Sequence, residues 1–261
     1  MKAQLQNWDN FCKNHACGNW HGTWNKYSSE GQLINSFRGI RSIYTSEDSN
    51  EVYHHNHYIY PDGKSESQTF RTKKKPLTLA LFLDKSFSWG ITTREANSTG
   101  EKFGYLYLDT WKWQSFFFET GFRHENSKIS AGAFYDKNAN LEGLIVINEH
   151  LGSFAEYPSL PPINELDNNW QGTIENINSE FIISSPVTTS WKAIEDLNSD
   201  NLTFHLNNGI AINCPRKIGN GKDFVVVVDW LVNPNLLQRG IRYYDTSGFK
   251  SFSLEVFKPA S

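Results

Sequence analysis

One short phrase occurs twice in this chain. Asn19-Trp20-His21-Gly22-Thr23-Trp24 stands near the start, and Asn169-Trp170-Gln171-Gly172-Thr173-Ile174 follows 150 residues later. Tryptophan is rare even in a chain that holds nine of them, so a chance recurrence of Asn-Trp-x-Gly-Thr is improbable. Each copy follows a polar, turn-rich stretch and leads into a run that alternates like a strand. This arrangement predicts two copies of one all-β unit, each opening with an aromatic plug beside a glycine.

The length of 261 residues suits two modest domains, each with its own core. Aromatic residues make up 15% of the chain, which suits sheets, where flat rings pack on a pleated surface. The net charge of -3 and the dispersed Lys and Arg argue against nucleic acid as a partner. The short basic run Arg71 to Lys75 abuts Pro76 and reads as a solvated turn. Three cysteines, Cys12, Cys17 and Cys214, make neither a disulfide framework nor a zinc ribbon. The polar start Met1-Lys2-Ala3-Gln4 lacks the apolar core of a signal peptide, and the longest apolar run, Phe224 to Val228, is too short for a membrane span. A cytoplasmic protein without a membrane partner is expected.

Residues 4 to 18 carry Leu5, Trp8, Phe11 and Cys12 at helical spacing and predict one short helix. Beyond it the period becomes two. Strands are expected at 21–28, 33–45, 51–60, 65–72, 77–83, 86–92, 103–109, 113–122, 128–136 and 141–149, joined by turn sequences such as Pro61-Asp62-Gly63-Lys64. Such a series describes an up-and-down antiparallel sheet closed into a barrel. The proline cluster Tyr157-Pro158-Ser159-Leu160-Pro161-Pro162 reads as a linker. The expected division is a barrel with its helix over 1–157, a linker over 158–167, and a smaller barrel over 168–261. Strands in the second half are expected at 169–177, 180–185, 187–194, 201–206, 209–214, 223–232, 238–245 and 249–257.

Gly22-Thr23-Trp24 resembles the Gly-x-Trp signature of the lipocalin and calycin superfamily. Over its whole length the chain is similar to a cyanobacterial family of uncharacterised two-barrel, lipocalin-like proteins. Three passages carry that resemblance: Asn19 to Trp24 with Ser28-Ser29-Glu30-Gly31, then Tyr60-Pro61-Asp62-Gly63, and Cys214-Pro215-Arg216 with Asp229-Trp230-Leu231-Val232 and Gln238 to Asp245. The resemblance implies that Trp24 closes one end of the first barrel under a late-strand cation. In the second copy, where Ile174 replaces that Trp, it implies that Arg239 or Arg242 covers Trp170. It implies no activity, because fold does not carry function.

The densest titratable group is His54-His55-Asn56-His57. Pairing 33–45 with 51–60 through a turn centred on Asp48 sets Arg41 opposite His55 and Gly39 opposite His57. One face then holds Arg41, His55, His57, Ser67, Thr69 and Arg71, and the other holds Arg38, Ile40, Tyr44, His54, Tyr58, Tyr60 and Phe70. Periodicity leaves open which face lines the barrel. If the first does, His55 or His57 is the candidate base or nucleophile, and Arg41 stabilises an enolate or carboxylate. If the second does, Tyr58, His54 and Arg38 inherit those roles. A polar outer face is the plain alternative for these histidines, and no third ligand stands at metal-binding spacing. Glu119, among Phe116-Phe117-Phe118 and Phe122, is a candidate general acid if buried, or else pairs with a cation or faces water. Trp111 and Trp113 share a face, as core packing or as a stacking wall for a flat ligand.

Two barrels with aromatic walls make a cup for a small, largely apolar or aromatic molecule. The expected function is a cyclase or isomerase of specialised metabolism, acting on a polyketide, terpenoid or aryl intermediate without a cofactor. Its catalytic set is His55, His57, Arg41 and Glu119. Its ligand contacts are Trp24, Arg38, His54, Tyr58, Tyr60, Trp111 and Trp113. A binding protein for a pigment, tetrapyrrole or lipid is the alternative, and a partner-binding protein with filled barrels is a third reading.

Overall fold

The computed structural model describes residues 2–74, 80–90, 116–157, 160–167, 169–219, 222–246 and 248–260. The expected strand 103–109 and both Trp111 and Trp113 lie outside the described residues.

The chain opens with a helix, α1 (Lys2–Asn14), which stops four residues short of the expected end. Trp8 and Phe11, three apart on one face, bury against the sheet, with Phe11 stacked on Phe82. Nine strands follow: β1 (Cys17–Ser28), β2 (Leu33–Thr45), β3 (Glu51–Ile59), β4 (Ser65–Lys73), β5 (Ala80–Leu83), β6 (Ser86–Trp89), β7 (Phe116–His124), β8 (Ser127–Tyr135) and β9 (Leu141–Leu151). They form one antiparallel sheet in the order β4-β3-β2-β1-β9-β8-β7-β6-β5. This is an up-and-down meander in which the first strand pairs with both the second and the last.

Among the described residues strand β5 is an edge of that sheet, and exposed edges leave backbone groups unpaired. Helix α1 covers it with a row of asparagines. Asn7 donates to the Ala80 carbonyl at 2.9 Å and accepts from the Phe82 amide at 2.7 Å. Asn10 donates to the Phe82 carbonyl at 2.9 Å, and Asn14 to that of Asp84 at 2.8 Å.

The second unit repeats the plan with seven strands: β10 (Trp170–Asn178), β11 (Val187–Ser190), β12 (Asn201–Leu206), β13 (Ile210–Pro215), β14 (Phe224–Asn233), β15 (Leu236–Asp245) and β16 (Gly248–Pro259). Their order is β11-β10-β16-β15-β14-β13-β12. No strand forms over 180–185, where a single bridge joins Ile177 to Ile183. The Asn178 side chain accepts from the amides of Glu180 and Ile182 at 2.9 Å each, and Phe181 takes a positive φ of 64°. That turn holds the segment out of the ladder. The expected strand 187–194 ends at Ser190 and gives way to a 3-10 turn over Ile194–Leu197.

The repeated phrase has one structural cause. β1 lies between β2 and β9, and β10 lies in the same place between β11 and β16. A Cβ on Gly22 would sit 2.2 Å from the Asn148 carbonyl oxygen, and one on Gly172 would sit 2.1 Å from that of Val256. In both copies the glycine lets the last strand press onto the first, and the tryptophan two residues earlier is buried beside it.

The two sheets share a core. The outward face of β5 to β9 carries Leu81, Phe118, Phe122, Ala131, Tyr135 and Val146, which pack with Ile212, Phe224, Val228, Trp230, Tyr244 and Phe252 of the second sheet. The other face of that sheet buries Trp170, Trp191, Val227, Leu231, Ile241 and Phe257 in its own interior. Burial on both faces is why 224–228 reads as a continuous apolar run rather than an alternating one. Polar groups lock the seam. Buried Arg242 donates to Tyr244 Oη at 2.6 Å, Ser88 Oγ at 3.2 Å and the Gly90 carbonyl at 3.2 Å, and Tyr135 donates to the Pro215 carbonyl at 2.7 Å.

Candidate functional site: the chamber of the first barrel

The nine-stranded sheet curls round a cavity of about 360 Å³, to which every one of its strands contributes side chains. Phe11 and His15 from α1 and the turn after it line the same space. Two stacked pairs form walls: Trp24 with Phe37 at 5.9 Å between centroids, and Phe117 with Phe134 at 4.6 Å. Gly39 makes room for the first, since a Cβ there would lie 2.7 Å from the Trp24 ring.

A polar strip crosses this aromatic chamber along β3. His54, Asn56 and Tyr58 are two apart and all point inward. His54 Nε2 lies 2.7 Å from Asn56 Oδ1, and Asn56 Nδ2 donates to Tyr58 Oη at 2.8 Å. A carboxamide oxygen accepts only, so this geometry places the imidazole proton on Nε2. Burial holds His54 well below the usual histidine range, helped by the charge of Arg41, so its ring is neutral. Burial also raises the Tyr58 hydroxyl, against the pull of Arg41.

Charged residues line the chamber or stand directly behind its wall. Glu149 is fully buried between Arg41, whose Nε lies 3.2 Å from Oε1, and Lys128, whose Nζ lies 2.9 Å from Oε2. Burial brings Lys128 down to about 8, with Glu149 opposing the shift. Glu119 is buried on β7, and desolvation raises its carboxyl while Arg41 pulls it back. Burial drives His15 down to about 3, reinforced by Lys128 and Arg123. Arg41 therefore acts on His54, Tyr58, Glu119 and Lys128 alike. Among the described residues no group of three or more His, Cys, Asp or Glu could hold a metal ion.

The expected faces require correction on β2. Arg41 pairs with Asn56, Gly39 with Tyr58, and Ser42 with His55, one position away from the expected register. The turn has four residues, 47–50, closed by the Ser46 amide on the Glu51 carbonyl, and Ser49 takes a positive φ of 54°. It is therefore not centred on Asp48, and a one-residue slip exchanges the faces. Arg41 enters the chamber. His55 and His57 lie on the outside, where His55 Nδ1 meets Thr69 Oγ1 and His57 Nδ1 meets Ser67 Oγ, each at 2.9 Å. Neither can reach a molecule in the lumen, so the catalytic role assigned to them does not fit. Arg38 is also outside, with its guanidinium 3.8 Å from the Phe154 ring centroid. Trp24, Tyr58, Tyr60, His54, Glu119 and Arg41 all line the chamber.

The cation-covered tryptophan differs from the expected one as well. Trp20 is wholly buried, with Lys128 at 4.2 Å and Arg123 at 5.2 Å from its ring. Trp24 is part of the chamber wall, with Arg41 at 5.5 Å. In the second barrel Arg239 lies over Trp191 and Phe257 rather than Trp170, and makes a bidentate pair with Asp229 at 2.7 and 2.6 Å. Sequence reasoning missed Asn56, Lys128, Glu149 and His15. The signal was present for Lys128 and Glu149. Each sits at an inward position of an apolar strand, where a charge demands a partner.

A tandem of two antiparallel barrels, one with an open chamber and one with a packed interior, is the class of protein defined by this fold and site. The chain belongs to the DUF3598 family: the model for the N-terminal domain of unknown function DUF3598 matches residues 4–154. Residues 162–255 match the model for the C-terminal domain of biogenesis factor required for ATP synthase 1. No curated protein matches the sequence. The crystal structure of a DUF3598 protein of unknown function from Nostoc punctiforme is similar at 21% identity, with a TM-score of 0.76, covering 97% of this chain and 99% of that one. It agrees in fold over the full length. A putative outer membrane protein from Bacteroides fragilis (10% identity, TM-score 0.26, covering 93% and 97%) and kievitone hydratase from Nectria haematococca (8%, 0.22, covering 98% and 93%) are too distant in structure to inform the fold.

Proposed function

We propose that the first barrel binds a small, largely apolar aryl, polyketide or terpenoid molecule and performs acid–base chemistry on it, as an isomerase or cyclase does. The observation that carries this reading is the polar strip His54-Asn56-Tyr58, with Arg41 and Glu119, inside a chamber whose walls are largely aromatic and aliphatic. Polar groups buried in an apolar space cost free energy unless they serve a purpose there. Glu119 is suited to move a proton, because a carboxyl raised by desolvation is a stronger base when ionised and a usable acid nearer neutrality. Tyr58 and Arg41 are suited to stabilise charge that develops on an oxygen. The Trp20 ring under Lys128 and Arg123 supports kinship with the lipocalin-like calycins.

The test uses 2-tetralone, an enolisable aryl-fused ketone, in D2O. Exchange of its α-protons is followed by NMR, and binding is followed by quenching of tryptophan emission. Wild-type protein should accelerate exchange, and Glu119→Gln should lose about 10²–10⁴ of that rate while still binding. Quenching without exchange would favour the second reading, a carrier of a pigment, tetrapyrrole or lipid. The match of residues 162–255 to a domain of an ATP synthase biogenesis factor supports a different non-enzymatic role, in which the second barrel meets a protein partner. Neither quenching nor exchange would remove both readings.

A further inference from the structure

We infer that the chamber is an oxyanion receptor, built to hold the enolate or phenolate form of a flat aryl ligand with the Tyr58 hydroxyl donating to its oxygen. This rests on the chamber reading above and names the ligand's chemistry. The first support is the direction of the hydrogen bonds. Asn56 is committed on both sides: its oxygen faces His54 Nε2 and its amide donates to Tyr58 Oη. The hydroxyl is therefore an acceptor toward Asn56, and its own proton must point elsewhere. Among the described residues no side chain accepts it, and Tyr58 lines the cavity. A half-buried donor without an acceptor is costly, and a ligand oxygen meets the need.

Sheet register supplies the second support. Arg41 stands opposite Asn56, and Tyr58 stands opposite Gly39, which has no side chain. Arg41 is next in line on the same inward face, held by Glu149 at 3.2 Å. Its guanidinium is fixed in place and cannot lose its charge, so negative charge forming beside Tyr58 is met by a pre-set cation. Asn56 is then a positioning residue, setting both the His54 tautomer and the direction of the Tyr58 proton.

The walls supply the third. Trp24 and Phe37 lie nearly parallel at 11°, and the Tyr58 ring stands at 88° and 86° to them. The hydroxyl-bearing ring thus meets the two parallel rings edge-on, while Phe117 and Phe134 stack at 27° and complete the apolar lining. Flat rings lining a small space suit a flat ligand, and a donor among them suits a ligand with one oxygen.

The probe is 2-naphthol, whose ionised and neutral forms differ in ultraviolet absorbance, with naphthalene as the control that lacks the oxygen. Bound 2-naphthol should ionise at least one pH unit below the free compound, equivalent to tenfold tighter binding of the naphtholate. Tyr58→Phe and Arg41→Gln should each shrink that shift while leaving naphthalene affinity within about threefold. An unshifted or upward-shifted ionisation would overturn the oxyanion assignment and leave the chamber reading intact, as would a shift that survives in both variants. Binding of neither compound would overturn the chamber reading together with this one. If Tyr58→Phe fails to fold, as checked by its thermal melt, Arg41→Gln decides alone.

Discussion

Gly172 and Gly22 offer the sharpest test of the repeat, because both should resist the smallest possible change. A methyl group added at Gly172 would lie 2.1 Å from the Val256 carbonyl oxygen and 2.8 Å from Phe257 Cδ1. Carbon and oxygen in contact sit about 3.3 Å apart, so the strands must separate by about 1 Å. The obstacle is backbone, held by a ladder running from Trp170 opposite Pro259 to Asn178 opposite Ser251, and it cannot swing aside as a side chain would. Weakening two neighbouring ladder bonds costs about 0.5–1.5 kcal/mol each, and overpacking adds about 1–3 kcal/mol. Gly172→Ala should therefore cost about 2–6 kcal/mol, and Gly22→Ala a similar amount, its methyl meeting Asn148 O at 2.2 Å. Gly63→Ala is the control: its φ is +84° but nothing lies within 4 Å of the new carbon, so backbone strain of about 1–2 kcal/mol is the whole penalty. Urea unfolding followed by tryptophan emission and circular dichroism gives all three values. Gly172→Ala no more destabilised than Gly63→Ala would refute the close-approach account of the motif.

Arg239→Met should cost about 3–5 kcal/mol in the same assay, because it strands buried Asp229 and Glu255, whereas the triple variant Asp229→Leu/Arg239→Met/Glu255→Gln should return near or above wild type. Glu119→Gln should raise the melting temperature at pH 8 and have no such effect at pH 4. The folded pKa of Glu119 lies above its unfolded value of about 4.3, so wild-type stability falls as pH rises from there through the folded pKa, and glutamine escapes that loss. Asn7→Ala should cost about 1–3 kcal/mol by leaving the Ala80 carbonyl and Phe82 amide without partners, and Asn10→Ala, with one such bond, should cost less. Residues 1–157 produced alone should bind the apolar dye 1-anilinonaphthalene-8-sulfonate strongly, and a fragment that melts cooperatively without doing so would contradict the shared core.

Much of the fold is legible because local signals agree. The boundaries of β2 and β12 follow directly from alternation, and Pro61-Asp62-Gly63 gives the β3–β4 register, because a positive-φ glycine fixes that turn. The β2–β3 turn defeats the same reasoning. Its left-handed residue is Ser49, which advertises nothing in sequence, and one unseen residue in the turn moves Arg41 across the sheet. Alternation on β3 itself is sound, so His54 and Tyr58 were correctly opposed to His55 and His57, and what stayed hidden was which set faced inward. The asparagine row of α1 was hidden for a different reason. Asn at helical spacing reads as solvated surface unless the helix is known to lie along a sheet edge.

The shared core also decides how the two halves depend on each other. Repeated motifs and a proline linker suggest separable domains, and each half has its own sheet. Yet the outward faces of β5 to β9 carry Leu81, Phe118, Phe122 and Tyr135, each almost wholly buried, and what buries them is the second sheet. Arg242 reaches across to Ser88 and Gly90, so removing the second half exposes an apolar wall and also strips that wall of its polar lock. The same strands present Glu119, Lys128 and Phe134 to the chamber from their inner faces. Strand alternation makes one backbone serve both purposes, with the odd inward positions of β7 shaping the site and the even positions anchoring it. The packed barrel is thus a buttress for the open one. It stiffens the wall that carries the chamber's carboxyl and ammonium groups.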